Sequence, residues 1–125
     1  MVNDILLYVG SAVTTVWGVA HIIPAKSVVA GFGPLSDDNK RIITMEWIAE
    51  GLALCFIGLL VLSVTLWGGP KNQVSIIVYR ASALMLIVMA VLTSLTGARA
   101  SIVPIKVCPL VKTAAAILFF LGSIL

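Results

Sequence analysis

Charge is scarce in this chain. Only 10% of its 125 residues are charged, 8 Lys and Arg against 5 Asp and Glu, with one His and two Cys. An ordinary soluble domain carries about 25% charged residues. Here 61% of residues are hydrophobic, and the mean hydropathy is +1.17. A soluble domain this small buries only about 60–70% of the surface its unfolded chain exposes, so lipid must be the solvent for most of it. That excludes a soluble enzyme and a disordered chain. The net charge of +3 comes from scattered side chains with no basic run, which leaves a nucleic-acid partner without support.

The shortage of cysteine and histidine excludes more. Cys55 and Cys108 form no Cys-x-x-C pair, so quinone-coupled thiol–disulfide exchange lacks its reactive motif. Their expected depths in the membrane differ by more than about 10 Å at ~1.5 Å per residue, beyond disulfide reach. One His cannot supply a bis-His haem within the chain, and zinc would need ligands that this sequence does not have. No metal is expected, and no cofactor is indicated.

What is abundant is apolar run length. A hydrocarbon core of about 30 Å needs about 17–25 apolar residues in a helix, and four segments qualify: 5–23, 42–67, 75–97 and about 107–125. They consume roughly 80 residues and leave only short connections. The expectation is an all-α integral membrane bundle of four transmembrane helices in one domain. The first segment lacks the basic leader of a cleaved signal, since Met1-Val2-Asn3-Asp4 precede it, and is read as retained.

Lys and Arg set the orientation. Lys26, Lys40, Arg41, Arg99 and Lys106 fall in the first and third connections, against Lys71 in the second. Both charged connections are therefore placed in the cytoplasm of an inner (plasma) membrane, with both termini outside. Ser36 is the expected N-cap of the second helix, with Asp37 and Asp38 in its first turn. That helix should begin before the membrane, with Lys40 and Arg41 among lipid phosphates. Tyr8, Trp17, Trp47 and Trp67 lie near span ends, as interfacial aromatics do.

Ionisable residues inside apolar spans cost at least about 2.5–3.5 kcal/mol each and need a reason. Glu46 and Glu50 are four apart on the second helix and stack on one face, about 6 and 12 Å below Ile42. Two carboxylates so placed repel when both are ionised, so at least one needs a proton or a cationic partner. Ser11, Thr14, Gly18 and His21 follow 3-4-3 spacing down one face of the first helix. An antiparallel neighbour would bring the lower part of that face to the carboxylates. Two readings compete: a ligand or proton site built from His21, Glu46 and Glu50 with Thr14, Gly18 and Trp47 around it, or a His–Glu hydrogen bond that pins two helices. Arg80 and Lys112 are expected to snorkel to headgroups, with pairing to Glu46 the alternative for Lys112. Gly51, Cys55 and Gly58 form a small-residue stripe suited to close packing, and Ser82, Leu86, Met89, Thr93 and Thr96 form a mixed one.

Two stretches resemble a known family. Gly18-Val19-Ala20-His21-Ile22-Ile23-Pro24 is similar to the G-x-x-H-x-x-P that closes the first helix of small bacterial DoxX-like membrane proteins. Glu50-Gly51-Leu52-Ala53-Leu54, followed by Gly58-Leu59-Leu60, is similar to their second-helix pattern. The similarity covers residues 14–62. Thr93-Ser94-Leu95-Thr96-Gly97 stands where that family has a Pro-Ala-Asn run. The resemblance implies a four-helix bundle and a His21–Glu50 pair; some relatives serve quinone-linked sulfur oxidation. Small multidrug transporters share the span count but carry their key Glu in the first helix, where this chain has none.

Three functions follow. The leading one is a pocket of His21, Glu46 and Glu50 toward the cytoplasm that binds a lipophilic or quinone-like molecule, with the three side chains handling protons. The second is a proton-coupled solute transporter acting as a homo-oligomer. The third is a non-catalytic subunit of a larger membrane complex. Membrane lipids are partners in all three.

Overall fold

A computed structural model describes residues 1–125. The chain forms α1 (Val2–Ile22), α2 (Ala25–Ala30), α3 (Asp37–Gly68), α4 (Gln73–Leu95) and α5 (Val103–Ile124), with a 3-10 turn at Gly97–Arg99. There are no strands. α1, α3, α4 and α5 are each long and apolar enough to cross a membrane. The all-α bundle of four membrane-spanning helices is thus the observed architecture, that of a multi-pass membrane protein.

Local sequence accounts for the ends. Ser36 caps α3, its hydroxyl accepting the Asn39 N–H at 3.2 Å, with Asp37 and Asp38 in the first turn. At 32 residues, α3 is about 48 Å long at 1.5 Å per residue, so it overruns the ~30 Å hydrocarbon layer. Asn72 caps α4 by accepting the Val74 N–H at 2.9 Å. Gly69 closes α3 at φ +80°, a left-handed conformation that favours glycine. Two connections differ from expectation. Pro24 ends α1 but also serves as the N-cap of the short α2, which folds back against α3. α5 starts at Val103 with Pro104 in its first turn, so Pro109 lies inside the helix.

In the bundle, α1 packs on α3 and α5, and α4 packs on α5 and more lightly on α3. Leu7, Leu54, Tyr79, Leu86 and Phe119 fill the centre. Phe56, Leu84, Val88, Leu110 and Ile117 point outward, where lipid replaces water and exposure carries no penalty. In lipid the driving force for association is close packing, and glycines supply it along α1–α3. A Cβ built on Gly18 would lie 2.6 Å from the Gly51 carbonyl oxygen, and one on Gly51 would lie 2.7 Å from the Gly18 oxygen. The expected Gly51–Cys55–Gly58 packing stripe is therefore present. The stripe on α4 divides: Ser82 and Leu86 are buried, whereas Met89, Thr93 and Thr96 border a cavity. At the other end of the bundle, Tyr79 and Thr65 share a buried hydrogen bond of 2.8 Å. There Arg80, exposed as snorkelling requires, donates from Nε to Ser123 Oγ at 3.3 Å.

Candidate functional site

The polar face of α1 turns inward as its spacing predicts: Ser11, Thr14, Gly18 and His21 are all buried. Their roles differ. Thr14 Oγ1 donates to the Gly10 carbonyl at 2.7 Å, and Gly18 is pressed against α3. Gly18 thus sits in the α1–α3 contact, Thr14 is buried with its hydroxyl spent on its own helix, and neither lines the cavity between α3, α4 and α5. His21, 2% exposed, is the member that meets charge. Its Nδ1 lies 2.8 Å from the Trp17 carbonyl oxygen. That oxygen can only accept, so Nδ1 carries a proton and Nε2 is the ring atom turned toward the rest of the cluster. Nε2 lies 3.8 Å from Glu50 Oε2 and 3.8 Å from Cys108 Sγ.

Two indoles frame the imidazole. Trp47 stacks on it, with centroids 4.5 Å apart and planes 26° from parallel, and Trp17 meets it edge-on at 5.6 Å. Of the expected interfacial tryptophans, Trp67 is exposed, but Trp17 and Trp47 turn into the bundle around His21. Trp17 Nε1 donates to Cys108 Sγ at 3.3 Å. The Trp47 N–H is buried and has no acceptor in the protein.

Glu50 finds its cation in Lys112, and this corrects the expectation that Lys112 snorkels. The ammonium is 1% exposed, contacts Glu50 Oε1 directly, and donates to Thr93 Oγ1 at 3.0 Å. The reason is helix register. Because α5 begins at Val103 rather than near residue 107, Lys112 falls in the third turn, too deep and too enclosed to reach headgroups. Nor is Glu46 its partner. Glu46 is exposed, forms no ion pair, and stands a turn nearer the helix start than Glu50. The two carboxylates share a side of α3, but only Glu50 enters the network.

Between α3, α4 and α5, where the α3–α4 seam is loosest, lies a cavity of about 520 Å³. Ile42, Ile43, Met89, Leu92 and Ile105 give it an apolar wall; Glu46, Trp47, Glu50, Thr93 and Lys112 bring polar atoms to it. Phe32 and Gly97 border it from the connecting loops. Of the expected ligand-side residues, Glu46, Trp47 and Glu50 line this cavity, while His21 stands behind Trp47.

Lys112, Thr93, Cys108 and Trp17 are the site members that sequence reasoning did not assign. A signal existed for two of them. Cys108 and Lys112 are four apart and share a helical face, yet reading Lys112 as a snorkelling residue kept that face out of the site. Glu50, His21, Cys108 and Lys112 now form one polar network in the loop-facing half of the bundle. No family model, curated protein or solved structure matches the chain.

Proposed function

We propose that this multi-pass membrane protein binds a lipophilic, quinone-like small molecule in the cavity between α3, α4 and α5. The carrying observation is a buried ammonium–carboxylate pair, Lys112 and Glu50, in the wall of an otherwise apolar cavity of about 520 Å³. That volume suits a small ligand with one polar end. A carbonyl headgroup would accept from Lys112 or from the unpartnered Trp47 N–H, and the apolar tail would lie along Ile43, Met89 and Leu92. Glu50, with His21 behind it, would take up or release the proton that such a headgroup exchanges. The Lys and Arg distribution supports an inner-membrane location with the cavity mouth toward the cytoplasm and both termini outside. Lys26, Lys40 and Arg41 line a groove between α2 and α3, which supports contact with lipid phosphates. The DoxX-like motifs at His21 and Glu50 fall on the network itself, which supports membership of that family.

The test is native mass spectrometry from mild detergent after adding a benzoquinone with a decyl tail. Wild type should carry one added mass. Leu92→Trp, which fills the cavity, should lose it, and Leu84→Trp on the lipid-facing side should keep it. A wild type that stays bare, or equal occupancy in both variants, overturns the proposal.

A second reading has its own observation. The network of His21, Glu50, Thr93, Cys108 and Lys112 ties all four spanning helices together, as a device that specifies packing does. It predicts bare protein in every sample.

A further inference from the structure

Three side chains near the cavity, His21, Glu50 and Cys108, face one another through long contacts only. His21 Nε2 is 3.8 Å from Glu50 Oε2, well beyond the 2.7–3.2 Å of a real N–H···O bond. Cys108 Sγ lies 3.8 Å from that nitrogen and 3.9 Å from Glu50 Oε1, and one donor atom from each residue falls within 4.8 Å of the others. The imidazole is 2% exposed, so no bulk water reaches its free lone pair.

We propose that His21, Glu50 and Cys108 form a binding site for one zinc ion, a proposal that rests on reading this cluster as a functional site rather than as packing. Tetrahedral zinc with bonds of about 2.0–2.3 Å sets its ligands about 3.3–3.6 Å apart. In the structure one donor atom from each residue lies within 4.8 Å of the others, so zinc would draw the three together by up to about 1 Å, a contraction that side-chain rotation supplies. Nitrogen, oxygen and sulfur donors together suit zinc, and three protein ligands leave a fourth position open.

Each donor is also held from behind, as metal ligands are. His21 Nδ1 donates to the Trp17 carbonyl, which fixes the tautomer that leaves Nε2 free. Cys108 Sγ accepts from Trp17 Nε1, which holds the sulfur in place beside the other two side chains. Glu50 Oε1 is taken by Lys112, which leaves Oε2 for a cation. With zinc bound, thiolate and carboxylate face three positive charges, the two of zinc and the Lys112 ammonium on the far oxygen of Glu50, so an anion such as chloride or hydroxide in the open fourth position completes the balance.

The experiment is metal analysis of purified wild type dialysed against zinc chloride, with cobalt chloride as the spectroscopic probe. One metal per chain and a thiolate-to-cobalt absorption band are expected. Cys108→Ser should abolish the band, His21→Gln should lower bound metal at least tenfold, and Trp17→Phe should weaken affinity about 10–100-fold. Leu92→Trp should bind cobalt as wild type does. Wild type without stoichiometric metal, or an unchanged cobalt spectrum in Cys108→Ser, overturns the zinc site. Glu50 lines the cavity but Cys108 does not, so decyl-benzoquinone binding is read on metal-free protein and on Cys108→Ser: metal lost with quinone retained removes only the zinc site, and the converse removes only the quinone reading.

Discussion

Lys112 on α5 and Glu50 on α3 touch through Nζ and Oε1, with the lysine 1% and the glutamate 27% exposed. The pair is lopsided. Both line the cavity, but the ammonium is almost wholly enclosed by protein, whereas the carboxylate is about a quarter exposed.

The asymmetry sets the outcome of breaking the pair. Glu50→Leu strands a fully buried ammonium and should cost about 3–5 kcal/mol of stability. Lys112→Met leaves a carboxylate with cavity access and should cost less, about 1–3 kcal/mol. The double variant should recover most of the loss, since an apolar pair replaces a buried ionic one. Unfolding in mild detergent measures all three, and additive losses in the double variant would refute the coupling.

Glycine substitutions should separate the α1–α3 seam from the lipid face. Gly51→Ala puts a methyl against the Gly18 carbonyl oxygen and should destabilise by about 1–3 kcal/mol through overpacking. Ala53→Leu, two residues on but exposed, should stay within about 0.5 kcal/mol of wild type. Thermal unfolding of the two beside wild type checks the contrast.

Trp47 has two functions that one substitution divides. Trp47→Phe keeps a ring over His21 and removes an N–H that has no acceptor in the protein. Stability should therefore move by no more than about 0.5 kcal/mol. Affinity for the decyl-tailed benzoquinone should fall about tenfold, the worth of one hydrogen bond of about 1.4 kcal/mol. Unchanged affinity would show that the ligand does not use this donor.

Cys55 and Cys108 are both free, so intact mass should be the same with and without reductant. Cys108, 2% exposed, should react with a membrane-permeant maleimide only after unfolding. Rapid labelling of the folded protein at Cys108 would contradict its place beneath Trp17.

Labelling also tests the proposed orientation. An impermeant maleimide applied to intact cells should modify Lys71→Cys at once. Lys26→Cys should react only after permeabilisation. The reverse order would invert the topology.

The sequence by itself determined the solvent and the number of spans, because apolar run length is a local property that lipid thickness converts directly into spans. It determined the Ser36 cap and the inward face of α1, which depend only on neighbouring residues and helical period. It also singled out His21 and Glu50, since charge in hydrocarbon is costly wherever it occurs. It left Lys112 on the wrong side of a choice, because one turn of register at the start of α5 decides whether an ammonium reaches headgroups or the core. Only the tertiary structure brought Cys108, 58 residues from Glu50 and 87 from His21, into their company. That pairing arises from which helices pack side by side, a relation between distant segments that no local pattern records. The loosened α3–α4 seam, and with it the cavity, was decided at the same level.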